Sequence, residues 1–291
     1  MCRSPPIWEE GKNSCCTSHL AIVMTQEPRP SLSIVFPCYN DAGTIGSLVA
    51  AADIVAREFT DDYEIIVVDD TSEDSSRELL ERLQQTYPRL TVILHDANRG
   101  YGGALRSGFT RAQKDLVFYT DGDGQYDVLE LRKFLPIIQT GVDVVNGYKI
   151  SRNDPIYRKY IGVLYLRLMR LLFNYHMRDV DCDFRLMRRR VFDHITLTHN
   201  SGVICLELVK KLELAGYRFV DFPVHHYRRT YGQSQFFNVR RLLITAWNVI
   251  RLWWELMIRR SVHVGVAYPE GQGQRRAVLT PGGDKPSSEE S

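Results

Sequence analysis

Between residues 31 and 148 the chain alternates short apolar runs with longer segments whose apolar positions recur every three or four residues. The runs are SLSIVF (31–36), YEIIVVDD (63–70), LTVILHD (90–96), DLVFYTD (115–121) and VDVVNGY (142–148). Their length and β-branched content predict strands. The segments 43–59 (GTIGSLVAAADIVAREF), 75–87 (SSRELLERLQQTY), about 102–113 and 129–139 (LELRKFLPIIQ) have the period of helices packed on one face. Strand and helix in turn predict an α/β domain with a parallel sheet flanked by helices. Each strand runs into polar residues, and in such sheets ligands bind at the carboxyl ends of the strands. PCYND (37–41), DDTSED (69–74) and TDGDGQYD (120–127) are therefore expected to converge on one crevice.

The second half is less regular. FVDFPVHHY (219–227) is strand-like, and two segments are helix-like with basic residues among apolar ones: 156–177 (IYRKYIGVLYLRLMRLLFNYHM) and 236–258 (FFNVRRLLITAWNVIRLWWELMI). In the second, Arg241, Thr245, Asn248, Glu255 and Arg259 trace a narrow polar stripe opposite a broad apolar face that includes Trp247, Trp253 and Trp254. Its longest uncharged run, 242–250, is well short of the ~20 residues that span a bilayer. Two readings stay open for it, a helix lying in a membrane interface and a helix packed on a core or a second copy. The expected organisation is a disordered extension over 1–30, a catalytic-sized domain over 31–235, an amphipathic interfacial helix over 236–260 and a disordered tail over 261–291, which is rich in Gly, Pro, Ser and charge.

Composition narrows the class. With 37 Lys and Arg against 35 Asp and Glu the formal charge is +2, which gives no case for a nucleic-acid partner. The six cysteines show no CxxC and no zinc-type spacing, which predicts a reducing compartment and no disulfide scaffold. The first 23 residues have no apolar core of the signal-peptide kind and carry Glu9 and Glu10 where one would lie, so export is not expected; Met24 offers an alternative start.

FYTDGDGQYD (118–127) poses the chemical question. Asp and Gly also form ordinary surface turns, so a plain loop is one reading. A calcium loop starting at Asp121 needs glycine at position 126 and glutamate at position 132, where the chain has Tyr126 and Arg132. The first strand is followed by PCYNDAG rather than GxGxxG, and GYGGALRSG (100–108) lacks the GK[ST] of a P-loop. The other reading is that Asp121 and Asp123 hold a divalent cation that keeps positions for phosphate oxygens, as release of a diphosphate from a sugar carbon requires.

PCYND, VVDDTSED, NRGYGGALRSGF, TDGDGQYD, VDCDFRLMRR and RTYGQSQF follow one another in the order of family-two, GT-A-type glycosyltransferases. Over roughly 31–237 the chain resembles that family, and within it the polyprenol-phosphate (dolichol-phosphate) mannosyl- and glucosyltransferases. The resemblance implies a GT-A-type mixed, mostly parallel sheet. It implies a GDP- or UDP-linked nucleotide sugar, Mg²⁺ or Mn²⁺, inversion at the anomeric carbon, and transfer of mannose or glucose to a polyprenyl phosphate at the cytoplasmic membrane surface. Carried over residue by residue, it implies that Pro37, Tyr39, Asp41, Val68 and Asp70 hold the nucleoside, that Asp121 and Asp123 hold the metal and that Gln125 lies beside the donor. Asp41, Lys149 and Gln235 stand where the family commonly has Glu, Arg and Lys.

VDCDFRLMRR (180–189) brings Asp181, Asp183 and Arg185 together, with a structural Asp–Arg pair as the plain alternative. A hydroxyl acceptor needs a carboxylate base, for which Asp181 or Asp183 is available; a phosphate acceptor is already anionic and needs cations to position it. Arg158, Arg229 and Lys149 are the candidates, each with an alternative as a solvated charge. In RTYGQSQF (229–236), Gly232 allows a mobile loop, Ser234 offers a hydroxyl and Arg229 a forked cation to a phosphate, so a lid over the donor is expected. A soluble transferase with a hydroxyl acceptor and a non-catalytic nucleotide-sugar-binding protein remain as alternatives.

Overall fold

The computed structural model describes residues 29–151, 167–175, 177–229, 231, 239–259 and 277–278. Strands β1 (Leu32–Cys38), β2 (Tyr63–Asp69), β3 (Leu90–Leu94), β4 (Leu116–Thr120), β5 (Val144–Ser151), β6 (Phe184–Arg188), β7 (Phe219–His225) and β8 (Ala277–Val278) form one sheet. Their order is β3-β2-β1-β4-β6-β5-β7-β8. All neighbours run parallel except β6, which lies antiparallel between β4 and β5.

The helices are α1 (Ile45–Phe59), α2 (Ser76–Thr86), α3 (Tyr101–Arg111), α4 (Leu131–Gln139), α5 (Val203–Leu214) and α6 (Val239–Trp253); residues 167–173 are also helical. The central strands are buried on both faces, which is why they read as continuous apolar runs. Alternate residues then feed two cores. Ile34, Phe36, Ile65, Val67 and Phe118 pack with α1 and α4, while Val35, Ile66, Val68, Val117 and Tyr119 pack with α3, α5 and α6.

In α1, Ile45, Leu48, Val49, Ala52, Val55 and Ala56 are buried at the predicted spacing. Pro37 is tolerated inside β1 because pairing with β4 ends at Val35, beyond which its missing N–H leaves no gap in that ladder.

Three features depart from expectation. FRLMR forms β6 in a stretch read only for its charges, and VICLELVKKLEL, for which no element was assigned, forms α5. Ala277–Val278, inside the tail expected to be disordered, pairs with Val220 and Asp221 along the open edge of β7. Helix α6, set apart from the 31–235 domain in the expected organisation, packs on it by one seam, in line with the core reading left open above: Val249, Leu252 and Leu256 lie in the core with α3 and α5. Of the disorder expected over 1–30 and 261–291, residues 1–28, 261–276 and 279–291 fall outside the described residues, as does most of the helix expected over 156–177.

Candidate active site

The carboxyl ends of β1, β2 and β4 meet as the parallel register requires, and each delivers an aspartate. After β1 the backbone turns through Asn40, at φ 58°, and Asp41 closes the turn by accepting from Thr44 N–H and Ile45 N–H through its carbonyl, both at 3.0 Å. Its carboxylate accepts from Tyr39 N–H at 3.2 Å. Thr44 Oγ1 donates to Gly122 O at 2.6 Å, tying the start of α1 to the turn after β4. Only glycine fits at 122. A Cβ there would come within 2.5 Å of Pro37 O and 3.1 Å of Asp41 Oδ2. The D-G-D turn thus sits directly on the end of β1.

Four carboxylates gather around it. Tyr101, at the start of α3, donates its hydroxyl to Asp121 Oδ1 at 2.6 Å. Burial holds the Asp121 carboxyl well above the usual carboxylate range, and the charges of Asp183 and Asp123 push it further. Asp41 is pushed up to about 6, again by burial first and by Asp123 next among the groups that raise it. Asp183 is raised by burial although Arg185 and the Cys205 thiol, which donates at 2.9 Å, pull the other way. Asp123 accepts from Gln125 N–H at 3.0 Å and takes the Arg229 guanidinium at 2.5 Å.

The segment after β7 lies across this turn. Gln125 and Tyr227 exchange two bonds: Tyr227 N–H donates to Gln125 O at 2.8 Å, and the Gln125 amide donates to Tyr227 O at 3.0 Å. Two residues on, Arg229 reaches Asp123. Tyr231 then packs so closely on Gly43 that a Cβ there would meet its ring at 2.4 Å. Gln125 therefore spends its side chain on this strap, and Arg229, expected toward a ligand phosphate, has an aspartate as its partner.

Other sites read from the sequence are placed as follows. Asp70 is buried, its carboxylate accepting from Arg99 N–H at 2.8 Å and lying 2.7 Å from His95 Nδ1. Tyr39 is exposed beside Asp41. The Val68 side chain is wholly buried beside Gly108 of α3, which leaves its backbone as the part that can face a nucleoside. Lys149 donates to Asp181 O at 2.7 Å. Burial opposes its charge, but Asp179, Cys182, Asp183 and Asp181 outweigh that and raise its pKa. Asp183, not Asp181, is the acid of that motif whose charge acts on Asp121.

Arg185 is fully buried and bonds to Asn146, Tyr119 and the carbonyls of Val180 and Cys182, a structural cation that pins the loop before β6. Arg158 and Ser234 lie outside the described residues. The sequence reading missed Tyr101, although its position at the head of a helix following β3 was the available signal.

Among the described residues no group of three or more His, Cys, Asp or Glu is placed to cage an ion alone. The oxygen donors of Asp121 and Asp123, crowded by like charge, fit a hard divalent cation that takes its remaining ligands from elsewhere. No helix among the described residues is long and apolar enough to cross a membrane.

Known proteins resemble the chain at three levels. Solved structures share the architecture. Glucosyl-3-phosphoglycerate synthase from Mycobacterium tuberculosis, in complex with Mn²⁺, uridine diphosphate and glucosyl-3-phosphoglycerate, matches with a TM-score of 0.57 at 16% identity, over 78% of this chain and 79% of that one. Mannosyl-3-phosphoglycerate synthase from Rubrobacter xylanophilus matches with a TM-score of 0.57 at 18% identity, over 83% and 78%. The shared fold is the GT-A arrangement.

Among curated proteins, the undecaprenyl-phosphate 4-deoxy-4-formamido-L-arabinose transferase of Klebsiella pneumoniae is 28% identical over 219 residues, 75% of this chain and 66% of its own length. That of Yersinia pestis is 28% identical over 226 residues, 77% and 68%. The chain spans about two thirds of the length of these relatives. The family model for glycosyl transferase family 2 matches residues 33–196, more than half of the chain, from β1 through the D-G-D turn to β6. By that match the chain belongs to glycosyl transferase family 2.

Proposed function

We propose that this protein transfers a sugar from a nucleotide sugar to a polyprenyl phosphate at a membrane surface, the cytoplasmic one, with Mg²⁺ or Mn²⁺ held at Asp121 and Asp123. The observation that carries this reading is the crowding of Asp41, Asp121, Asp123 and Asp183 at one turn, where burial raises three of the four. Such a cluster cannot receive a diphosphate without a cation. A bound divalent ion would supply that charge and offset what develops on the departing diphosphate. Tyr101 fixes the orientation of Asp121 for this task. Tyr39, Asp41 and Asp70 lie on the nucleoside side. Lys149 and Arg229 are cations within reach of the carboxylate cluster, suited to aligning an acceptor phosphate that needs no base. The names of the curated relatives support a polyprenyl phosphate acceptor, and the Mn²⁺ and uridine diphosphate of a fold neighbour agree with a metal-bound diphosphate.

The membrane surface finds support in α6 and the turn after it. Leu243, Trp247, Ile250, Trp254 and Ile258 form one stripe at helical spacing and are 49–68% exposed. Leu168 and Leu171, exposed on the neighbouring helical stretch, belong to the same region, since Trp253 donates to Leu172 O at 2.7 Å. Apolar area of this kind, with arginines in the sequence at both ends, fits the interface of a bilayer. A second reading, a hydroxyl acceptor, is favoured by one observation: Asp183 is held in a raised-pKa environment beside Asp121, as a general base would be.

The deciding experiment incubates the protein with labelled GDP-mannose, UDP-glucose, UDP-N-acetylglucosamine and a nucleotide-linked 4-deoxy-4-formamido-L-arabinose, each with polyprenyl phosphate, and extracts into organic solvent. Label in the organic phase that depends on a divalent ion and survives Asp183→Asn is the expected result. Transfer only to hydroxyl compounds, lost with Asp183→Asn, would establish the second reading.

A further inference from the structure

Helix α3 carries a second chemical constellation on its outer side. An open surface depression, a cavity of about 450 Å³, is lined by Arg99, Gly103, Arg106, Ser107, Thr110 and Arg111. Its lining holds three guanidinium groups and two hydroxyls, and no carboxylate. Among the described residues Arg106 bonds only to neutral acceptors, Thr198 O at 2.6 Å and the Asn200 side chain. Arg111 forms a loose ion pair with Glu64 Oε2 at 3.6 Å. Arg99 is exposed and makes no salt bridge among the described residues. The cluster therefore sets three guanidinium groups against one carboxylate partner, Glu64, and forked donors suit phosphate oxygens.

The floor of this cavity connects to the crevice. Ser107 Oγ lies 2.9 Å from His95 Nε2, and His95 Nδ1 lies 2.7 Å from Asp70 Oδ1. With Nδ1–H donated to Asp70, the ring leaves Nε2 to accept the Ser107 hydroxyl, so the donors facing the cavity are the guanidinium groups and Thr110. Arg99 makes a shorter link. Its side chain lines the cavity while its own N–H bonds to Asp70 at 2.8 Å. A ligand that fixes Arg99 therefore acts on the residue holding Asp70, at the end of β2.

We infer that this cavity binds a compound bearing a phosphate monoester or diphosphate group, free or as a lipid headgroup, at a place distinct from the D-G-D crevice, and that its occupancy is transmitted to Asp70 through Arg99. The depression is open enough to admit a phosphate group from solvent or from a lipid surface. The binding stands apart from the transfer reaction proposed above; only the transmission rests on Asp70 facing the nucleoside.

The test measures binding of inorganic pyrophosphate by calorimetry at low salt with a chelator present, so that no metal recruits the anion to Asp121 and Asp123. A parallel arm measures sedimentation with phosphatidic acid vesicles against neutral vesicles. Arg99→Ala and Arg111→Ala are the informative variants, because Arg106 also holds the loop at 198–200; circular dichroism checks their folding. The expected result is a loss of at least about tenfold in affinity for one of the two probes in both variants, with Asp123→Asn unchanged. The arm that responds identifies the source of the phosphate. Equal binding in wild type and both arginine variants, loss with Asp123→Asn, or no binding in either arm would overturn the site. Nucleoside diphosphate affinity that is the same with the cavity filled and empty would overturn the transmission while leaving the transfer reaction untouched.

Discussion

Arg229 reaches across 106 residues of sequence to place its guanidinium on Asp123. A divalent ion and an arginine compete for the same carboxylate oxygen, so under the proposed function this pair opens when the metal and its nucleotide enter. Arg229→Ala is then expected to bind Mn²⁺ about threefold to tenfold more tightly without nucleotide, yet to lose at least about tenfold in turnover at saturating substrates. Calorimetric Mn²⁺ titration beside a turnover assay measures both, and unchanged values in both would remove Arg229 from the site. Asp123→Asn is expected to lose metal affinity and turnover together. The meeting of Asp41 with the D-G-D turn was legible because strand ends point one way in a parallel sheet. The partnerships were not. Nothing in RTYGQSQF announces that its arginine pairs with Asp123, and Arg185 looks like a ligand-binding cation until its burial among carbonyls is seen.

At the scale of elements, α6 shows how far periodicity can be trusted. Residues 249, 252 and 256 repeat at helical spacing and so do 243, 247, 250, 254 and 258, but the first set is buried and the second is not. The sequence showed one broad apolar face and left core packing and membrane contact as rivals; the structure divides that face between a core seam and an outer stripe. Substitutions can separate them. Leu252→Ala should cost ~2–5 kcal/mol of stability by opening a cavity in the core. Trp247→Ala with Trp254→Ala should leave the melting temperature nearly unchanged and reduce flotation with anionic vesicles. Loss of stability without loss of vesicle binding in the double variant would make the outer stripe structural. β6 was invisible for a related reason: FRLMR is too short and too flanked by charge to carry a pattern, and its antiparallel setting depends on distant partners.

For the whole molecule, stability and site are joined through Glu207. It is buried at the heart of α5, accepts from Lys211 at 2.5 Å and from His199 at 3.0 Å, and seats the loop whose Asn200 carbonyl receives Gly102 N–H at 2.8 Å. That loop therefore positions the start of α3, and with it Tyr101. Burial opposes ionisation of Glu207, but its bonds to His199 and Lys211 prevail and lower its pKa from 4.5 to about 2. Because the folded value lies below the ordinary one, the contribution to stability is complete above about pH 4.5 and fades as pH falls toward 2. It amounts to ~3 kcal/mol. Glu207→Gln should lower stability at neutral pH and flatten the acid limb of a denaturation series across that window; an unchanged acid limb would show that other groups govern it.

The antiparallel entry of β6 has a consequence for how the polypeptide is interlocked. A break anywhere between β5 and residue 167 yields two pieces that cannot part like two halves of a hinge. The later piece wedges β6 between β4 and β5 of the earlier one, while β5 of the earlier piece is gripped by β6 and β7 of the later one. The pieces are dovetailed, each supplying the filling of the other's gap. Co-expressed as separate polypeptides divided in that interval, they should be recovered together in one complex and rebuild the cluster of Asp121 with Asp183, whereas either alone leaves unpaired strand edges and should aggregate. Recovery of the earlier piece as a soluble, cooperatively melting monomer would show that the dovetail is dispensable.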